Sequence, residues 1–96
     1  MRVMEFEWDE DKSNACFEER GFDFSYALRV FLDPNRMVRQ DHRWDYGEDR
    51  FQLTGTIEER VFVLIYTHRS TSIRIISARK ANQREVQDHE NSKRQS

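Results

Sequence analysis

The stretch VFVLIYTHRSTSIRIISARK, residues 61–80, decides the fold. Val61 to Tyr66 are apolar at every position, the pattern of a strand covered on both faces and set at the centre of a sheet. Ser72 to Ala78 reads as a second strand in which Ile73 and Ile75 share one face and Arg74 points to the other. A four-residue loop from Arg69 to Ser72 joins the two as a hairpin, pairing His68 with Ile73 and Thr67 with Arg74. Arg74 is therefore an unusual charge in an otherwise apolar strand.

Outward from this hairpin, Met37 to His42 and Arg50 to Ile57 read as further strands, broken by the turn-like run Trp44-Asp45-Tyr46-Gly47. Near the start, Val3, Glu5 and Glu7 alternate with Met4, Phe6 and Trp8, a period-2 pattern with one buried face. Asp9 suits a helix N-cap, Glu10 and Asp11 fall in the positively polarised first turn, and Gly21 suits a left-handed C-terminal cap, so a helix is predicted over Glu10 to Arg20. Phe24, Ala27, Leu28 and Phe31 stand at i, i+3, i+4 and i+7, a second helix closed by Pro34. Asn82 and Glu85 form a capping box for a short C-terminal helix from near Gln83, and residues 91–96 read as a flexible tail. The expected fold is α+β: two N-terminal helices packed on an antiparallel sheet of four to five strands.

Ninety-six residues suit a single domain, residues 1–96, because about 100 residues build one core. Seven Phe, three Tyr and two Trp supply the apolar bulk that a disordered chain lacks. The single cysteine, Cys16, rules out an internal disulfide or a multi-cysteine zinc site, and no apolar run has the length of a membrane span; a reducing cytoplasm is expected. His42, His68 and His89 lack the short spacings of a zinc site, and no metal or cofactor is expected. The net charge of −2 conceals a polarity: residues 1–33 carry nine acids and four bases, residues 34–96 twelve bases and nine acids. Between Arg60 and Arg84 lie six cations and no carboxylate. Such a local basic surface suits an anion such as RNA, leaving the acidic side for a basic or amphipathic partner.

Several segments in this order resemble the BrnT family of bacterial type II toxins: FEWDEDK (Phe6 to Lys12), Gly21 with Phe24, FLDP (Phe31 to Pro34), DYGEDR (Asp45 to Arg50), and IRIISARKA (Ile73 to Ala81) with Arg84 and Glu85. The resemblance implies a RelE-like fold, ribonuclease activity without a bound metal, and neutralisation by a BrnA-like antitoxin. Operator DNA is then contacted only through that antitoxin. One departure stands out, because Glu19-Arg20-Gly21 occupies the place where the family commonly has Lys-His-Gly. If that His is an acid or base, the change impairs catalysis, since a guanidinium does not give up its proton. If it holds a phosphate, Arg20 serves as well.

Metal-free RNA cleavage needs a base for the ribose 2′-hydroxyl and cations for the charge that builds on the phosphate. The expected catalytic set is Glu48, as base, with Arg50, Arg74 and Arg79, Arg79 being the leading cation. Arg20, Arg69, Lys80 and Arg84 are expected to hold RNA phosphates, with Trp44, Tyr46, Tyr66 and His68 as stacking or proton-relay groups. Blander readings stand beside these: Glu48 and Arg50 as a surface ion pair, Arg74 as a salt-bridge partner of the acidic first helix, and the late cations as a solvated patch. Trp44 equally suits a loop anchor, and Cys16 reads as a small core or surface residue. Besides the ribonuclease, two other functions fit: a toxin-derived binding module that has lost cleavage, and an RNA-binding protein that never cleaves.

Overall fold

Asp9 starts the first helix as its sequence demands, its carboxylate accepting the backbone N–H groups of Asp11 (2.8 Å) and Lys12 (3.3 Å). Gly21 ends it at φ 85°, where a side chain would be strained. In this computed structural model, which describes residues 5–42 and 47–94, α1 spans Glu10–Arg20. Asp23 caps the next helix, α2 (Phe24–Ala27), which passes directly into a 3₁₀ turn, Leu28–Leu32. The second helix is thus shorter and tighter than the apolar spacing predicts. Pro34 limits its length, and the Asp33 carboxylate leaves the helix axis to accept the Thr56 backbone N–H at 2.7 Å.

Five strands form one sheet: β1 (Glu5–Trp8), β2 (Met37–Asp41), β3 (Arg50–Ile57), β4 (Arg60–Arg69) and β5 (Ser72–Lys80), in the order β1-β5-β4-β3-β2. The apolar run lies in β4 at the centre, buried from Val61 to Thr67, and β4 pairs with β5 in the predicted register, His68 with Ile73 and Thr67 with Arg74. The sheet is mixed, not antiparallel, because β1 runs parallel to β5, Phe6 opposite Ile73. Alternation in a strand fixes which face is buried but not the direction of its neighbour, so this correction lay beyond the pattern.

Phe62, Leu64 and Tyr66 of β4 share one face with Leu53 and Ile57 of β3 and with Ile73 and Ile75 of β5. Phe22, Phe24, Ala27 and Val30 close over that face to form the core. Burying each large side chain here contributes roughly 1.5–3 kcal/mol. Gly55 lets the 3₁₀ turn approach, since a Cβ there meets Val30 Cγ1 at 2.8 Å. Cys16, on α1, is buried, and its thiol donates to the Ala78 carbonyl (3.5 Å).

The opposite face is crossed by α3 (Gln83–Arg94), which is longer than the short helix predicted and extends into the residues expected to form a tail. Its start is a reciprocal capping box: the Asn82 side chain accepts the Glu85 N–H (2.8 Å), and Glu85 accepts that of Asn82 (2.9 Å). His89, fully buried, anchors the middle, its Nε2 lying 3.3 Å from Thr56 Oγ1 and 3.4 Å from Asp33 Oδ2. Nε2 faces that pair, whereas Nδ1 makes no hydrogen bond to the described residues. The anchor is a histidine, which is why counting apolar residues undervalued this helix. Among the described residues no helix is long and apolar enough to cross a membrane.

Candidate active site

Alternation along the strands sends a set of cations to the face that α3 crosses. Thr67 of β4 stands opposite Arg74 of β5. Arg50 lies one position beyond the Phe51–Tyr66 pair and so falls across Thr67 on the other side. Arg39 of β2 stands opposite Gln52, and Arg79 opposite Val63, both on this face. Arg74 and Arg79 are five residues apart, a spacing that puts side chains on opposite faces of a regular strand. They share a face because the ladder slips between Ile65 and Tyr66, leaving Ile76 as an extra residue.

Carboxylates of the same chain hold these cations. Glu48 sits between Arg50 Nε (3.4 Å) and an Arg69 NH group (3.0 Å). The bend that carries it is pinned by Thr67, whose hydroxyl donates to the Asp49 carbonyl at 2.6 Å, and by Gln40, which donates to the Asp49 carboxylate at 3.1 Å. Glu7 of β1 lies 3.8 Å from Arg74, so the partner of that arginine is the edge strand and not the acidic helix α1. Glu85 receives both terminal nitrogens of Arg79, at 2.7 and 2.8 Å, in the two-pronged geometry that a phosphate also takes. Those bonds hold the Glu85 carboxyl below its ordinary range against the opposing effect of partial burial, with the Asn82 N–H and the charges of Arg79 and Arg39 assisting.

The face therefore gathers Glu48, Arg50, Arg69, Arg74 and Arg79 from the residues singled out in the sequence. The remaining ones lie elsewhere. Tyr66 and His68 are on the face toward α1 and α2, where Tyr66 is buried, stacks on Phe51 (5.5 Å) and has its hydroxyl pKa raised by burial. Strand alternation separates them from Thr67 and Arg69. Arg20 and Lys80 line a groove beside α1, and Arg84 is exposed on the first turn of α3. Trp44 and Tyr46 lie outside the described residues. Burial likewise raises the Cys16 thiol pKa, the opposite of what a nucleophile needs.

Sequence reading missed Arg39, Glu7 and Glu85 as members of this face. For Glu85 a signal existed, since its capping-box role fixes its place one turn from Arg79; for Arg39 and Glu7 only the strand pairing shows it. Among the described residues no group of three His, Cys, Asp or Glu side chains is arranged to hold a metal ion.

No curated protein matches the chain at a significant level. The family model described as the ribonuclease toxin BrnT of type II toxin–antitoxin systems matches residues 8–85, from the end of β1 to the carboxylate that meets Arg79. The chain belongs to the BrnT toxin family.

Proposed function

We propose that the chain is an endoribonuclease that cleaves RNA without a metal on the arginine face, limiting translation and growth until a BrnA-like antitoxin covers it. Family membership carries the toxin and ribonuclease class; what supports the residue roles is that Arg50, Arg69, Arg74 and Arg79 share one face of the sheet, Arg50 and Arg69 meeting the Glu48 bend. RelE-like architecture belongs to the same reading, supported by a sheet with helices on both faces. Operator DNA is reached only through the antitoxin.

In this reading Glu48 takes the proton of a ribose 2′-hydroxyl, whose oxygen attacks the adjacent phosphorus. The bond from phosphorus to the 5′-oxygen breaks, giving a 2′,3′-cyclic phosphate and a 5′-hydroxyl. The proton on the 5′-oxygen comes from protonated Glu48 or from solvent. Arg50, Arg74 and Arg79 offset the negative charge that builds on the phosphate oxygens; one such donor is worth about 2.7–4 kcal/mol in the barrier. Arg79 must release Glu85 to do so, and phosphate oxygens can take over both of its bonds. Arg20, which pairs with Glu19 at 3.2 Å, lies off this face, so its departure from the family pattern leaves the proposed chemistry untouched.

A second reading has one observation in its favour: Arg50, Arg69, Arg74 and Arg79 each already meet a carboxylate of their own chain, as in a binding module with a closed face. Incubation of a mixed-sequence RNA with the purified chain in EDTA separates the two. Fragmentation that fades in Arg79→Ala supports the ribonuclease; intact RNA with both proteins, alongside tight antitoxin binding, supports the module.

A further inference from the structure

A groove of about 540 Å³ opens on the side of the sheet away from the arginine face. Phe22, Tyr26 and Phe62 form its floor, with ring centres 5.0–6.3 Å apart, and Phe17 of α1, 58% exposed, forms a wall. Arg20, Arg60 and Lys80 stand on the rim. Its two carboxylates are occupied: Asp23 caps α2 through the Tyr26 N–H (2.9 Å), and Glu58 meets Arg29 at 3.2 Å. Among the described residues Arg60 and Lys80 form no ion pair, unlike the arginines of the other face. A concavity with aromatic walls and uncommitted cations suits a ligand with both a flat apolar group and a negative charge.

The groove is joined to the arginine face by a particular route. β1 pairs with β5 only as far as Ile75, so no described strand lies beside Ser77–Lys80. A smaller cleft of about 180 Å³ follows that half of β5 beside α1, lined by Lys12, Glu19, Arg20 and Ser77 among others; Glu19 pairs with Arg20 at 3.2 Å, and Arg20 lines both hollows. Arg79 and Lys80, consecutive on β5, point to the two opposite faces. Cations thus mark a line from Arg79 around the edge of β5, past Lys12 and Arg20, to Lys80 and Arg60.

We propose that this line is the path of a single-stranded RNA leaving the arginine face, and that the groove receives one of its nucleotides, the base against Phe17 and Tyr26 and the phosphate at Arg60 and Lys80. The inference rests on the ribonuclease reading and adds a subsite to it. An extended polyanion is favoured over an acidic peptide because the cations continue along the edge between the two sites, where a peptide docked in the groove alone makes no use of Lys12 or Arg79.

The test uses the full chain and two uncleavable 2′-O-methyl RNAs, a mixed-sequence octanucleotide and a trinucleotide too short to reach both sites, with binding read by fluorescence anisotropy. Phe17→Ala is expected to weaken the octanucleotide roughly 5- to 100-fold, the worth of one base stacked on an aromatic ring, and the trinucleotide by about twofold or less. Arg60→Ala is expected to flatten the salt dependence of octanucleotide binding by about 0.7 in log–log slope, one phosphate contact on a single strand. Octanucleotide affinity equal to wild type in both folded variants overturns the groove while leaving cleavage on the arginine face standing. Loss of antitoxin binding in those variants with RNA binding intact also overturns it, marking the groove as a protein-docking surface. A wild-type chain that binds the octanucleotide through Phe17 yet cuts no RNA supports the groove and sinks the ribonuclease. Absence of both binding and cleavage sinks both.

Discussion

The two faces of this one sheet are held by different physics. Toward α1 and α2 lie Leu53, Leu64 and Ile75, at most 1% exposed and stabilised by burial without regard to direction. Toward α3 lie arginines between a quarter and a half exposed, held by carboxylates whose attraction depends on geometry and salt. The first face contributes most of the folding free energy. The second adds the buried Val61, Val63 and Ile65 to it and keeps its cations aligned while leaving them exchangeable, which an anionic ligand requires. Even the clamp of α3 follows this division, since it is fixed by Glu85 and His89, one hydrogen-bonding group at each end of a single helical turn.

The division is strongest where a single change should separate folding from chemistry. Leu64→Ala is expected to lower unfolding stability by about 2–5 kcal/mol in a urea titration, with cleavage per folded molecule retained. Arg74→Ala should do the reverse, cutting RNA cleavage about 100- to 1000-fold while moving the urea midpoint by no more than about 1 kcal/mol. If Arg74→Ala unfolds the chain as severely as Leu64→Ala, the two faces are not separable. Gly55→Ala probes the core side through packing alone: a methyl at 2.8 Å from Val30 should cost roughly 1–3 kcal/mol, read as a lowered melting temperature.

Acid sharpens the contrast with a smaller effect. Glu85 and Asp33 both have carboxyl pKa values held below their ordinary 4.5 and 3.8. For Glu85 the cause is chiefly the Arg79 guanidinium; for Asp33 burial pushes upward but the Asn35 and Thr56 N–H groups prevail. A depressed carboxylate stabilises the fold above its unfolded pKa, and that contribution fades as pH falls through the folded value. Amide exchange should therefore show α3 losing protection below about pH 4 while β4 stays protected. Simultaneous loss in both elements would tie α3 to the core more closely than its contacts suggest.

Much of the scaffold was legible because its signals are local. The caps at Asp9 and Gly21, the box at Asn82 and Glu85, and the register of the β4–β5 hairpin all act over a few residues, and the structure carries each of them. The parallel pairing of β1 was not legible, since it joins residues 5–8 to 72–75 across the whole chain. The site was legible in part for the same reason. Arg74 announced itself as a charge in an apolar strand, but its companionship with Arg79 depends on the bulge at Ile76, which no periodicity foretells. Tyr66 and His68 looked functional as polar ends of the core strand, and alternation instead sends them into an aromatic cluster with Phe31 and Phe51. His89 lies beyond the residues matched by the family and reads as one polar residue among many until its burial is seen.

The buried thiol of Cys16 gives the molecule a built-in clock. It is the one cysteine in the chain, sealed beneath α1 against the Ala78 carbonyl at the free half of β5. At 4% exposure in the small cleft it lines, the thiol becomes fully open to a reagent when that helix lifts, so the labelling rate tracks helix openings without an introduced probe. RNA lying along the edge of β5 should slow that clock, and a ligand confined to the arginine face should leave it running at the same pace.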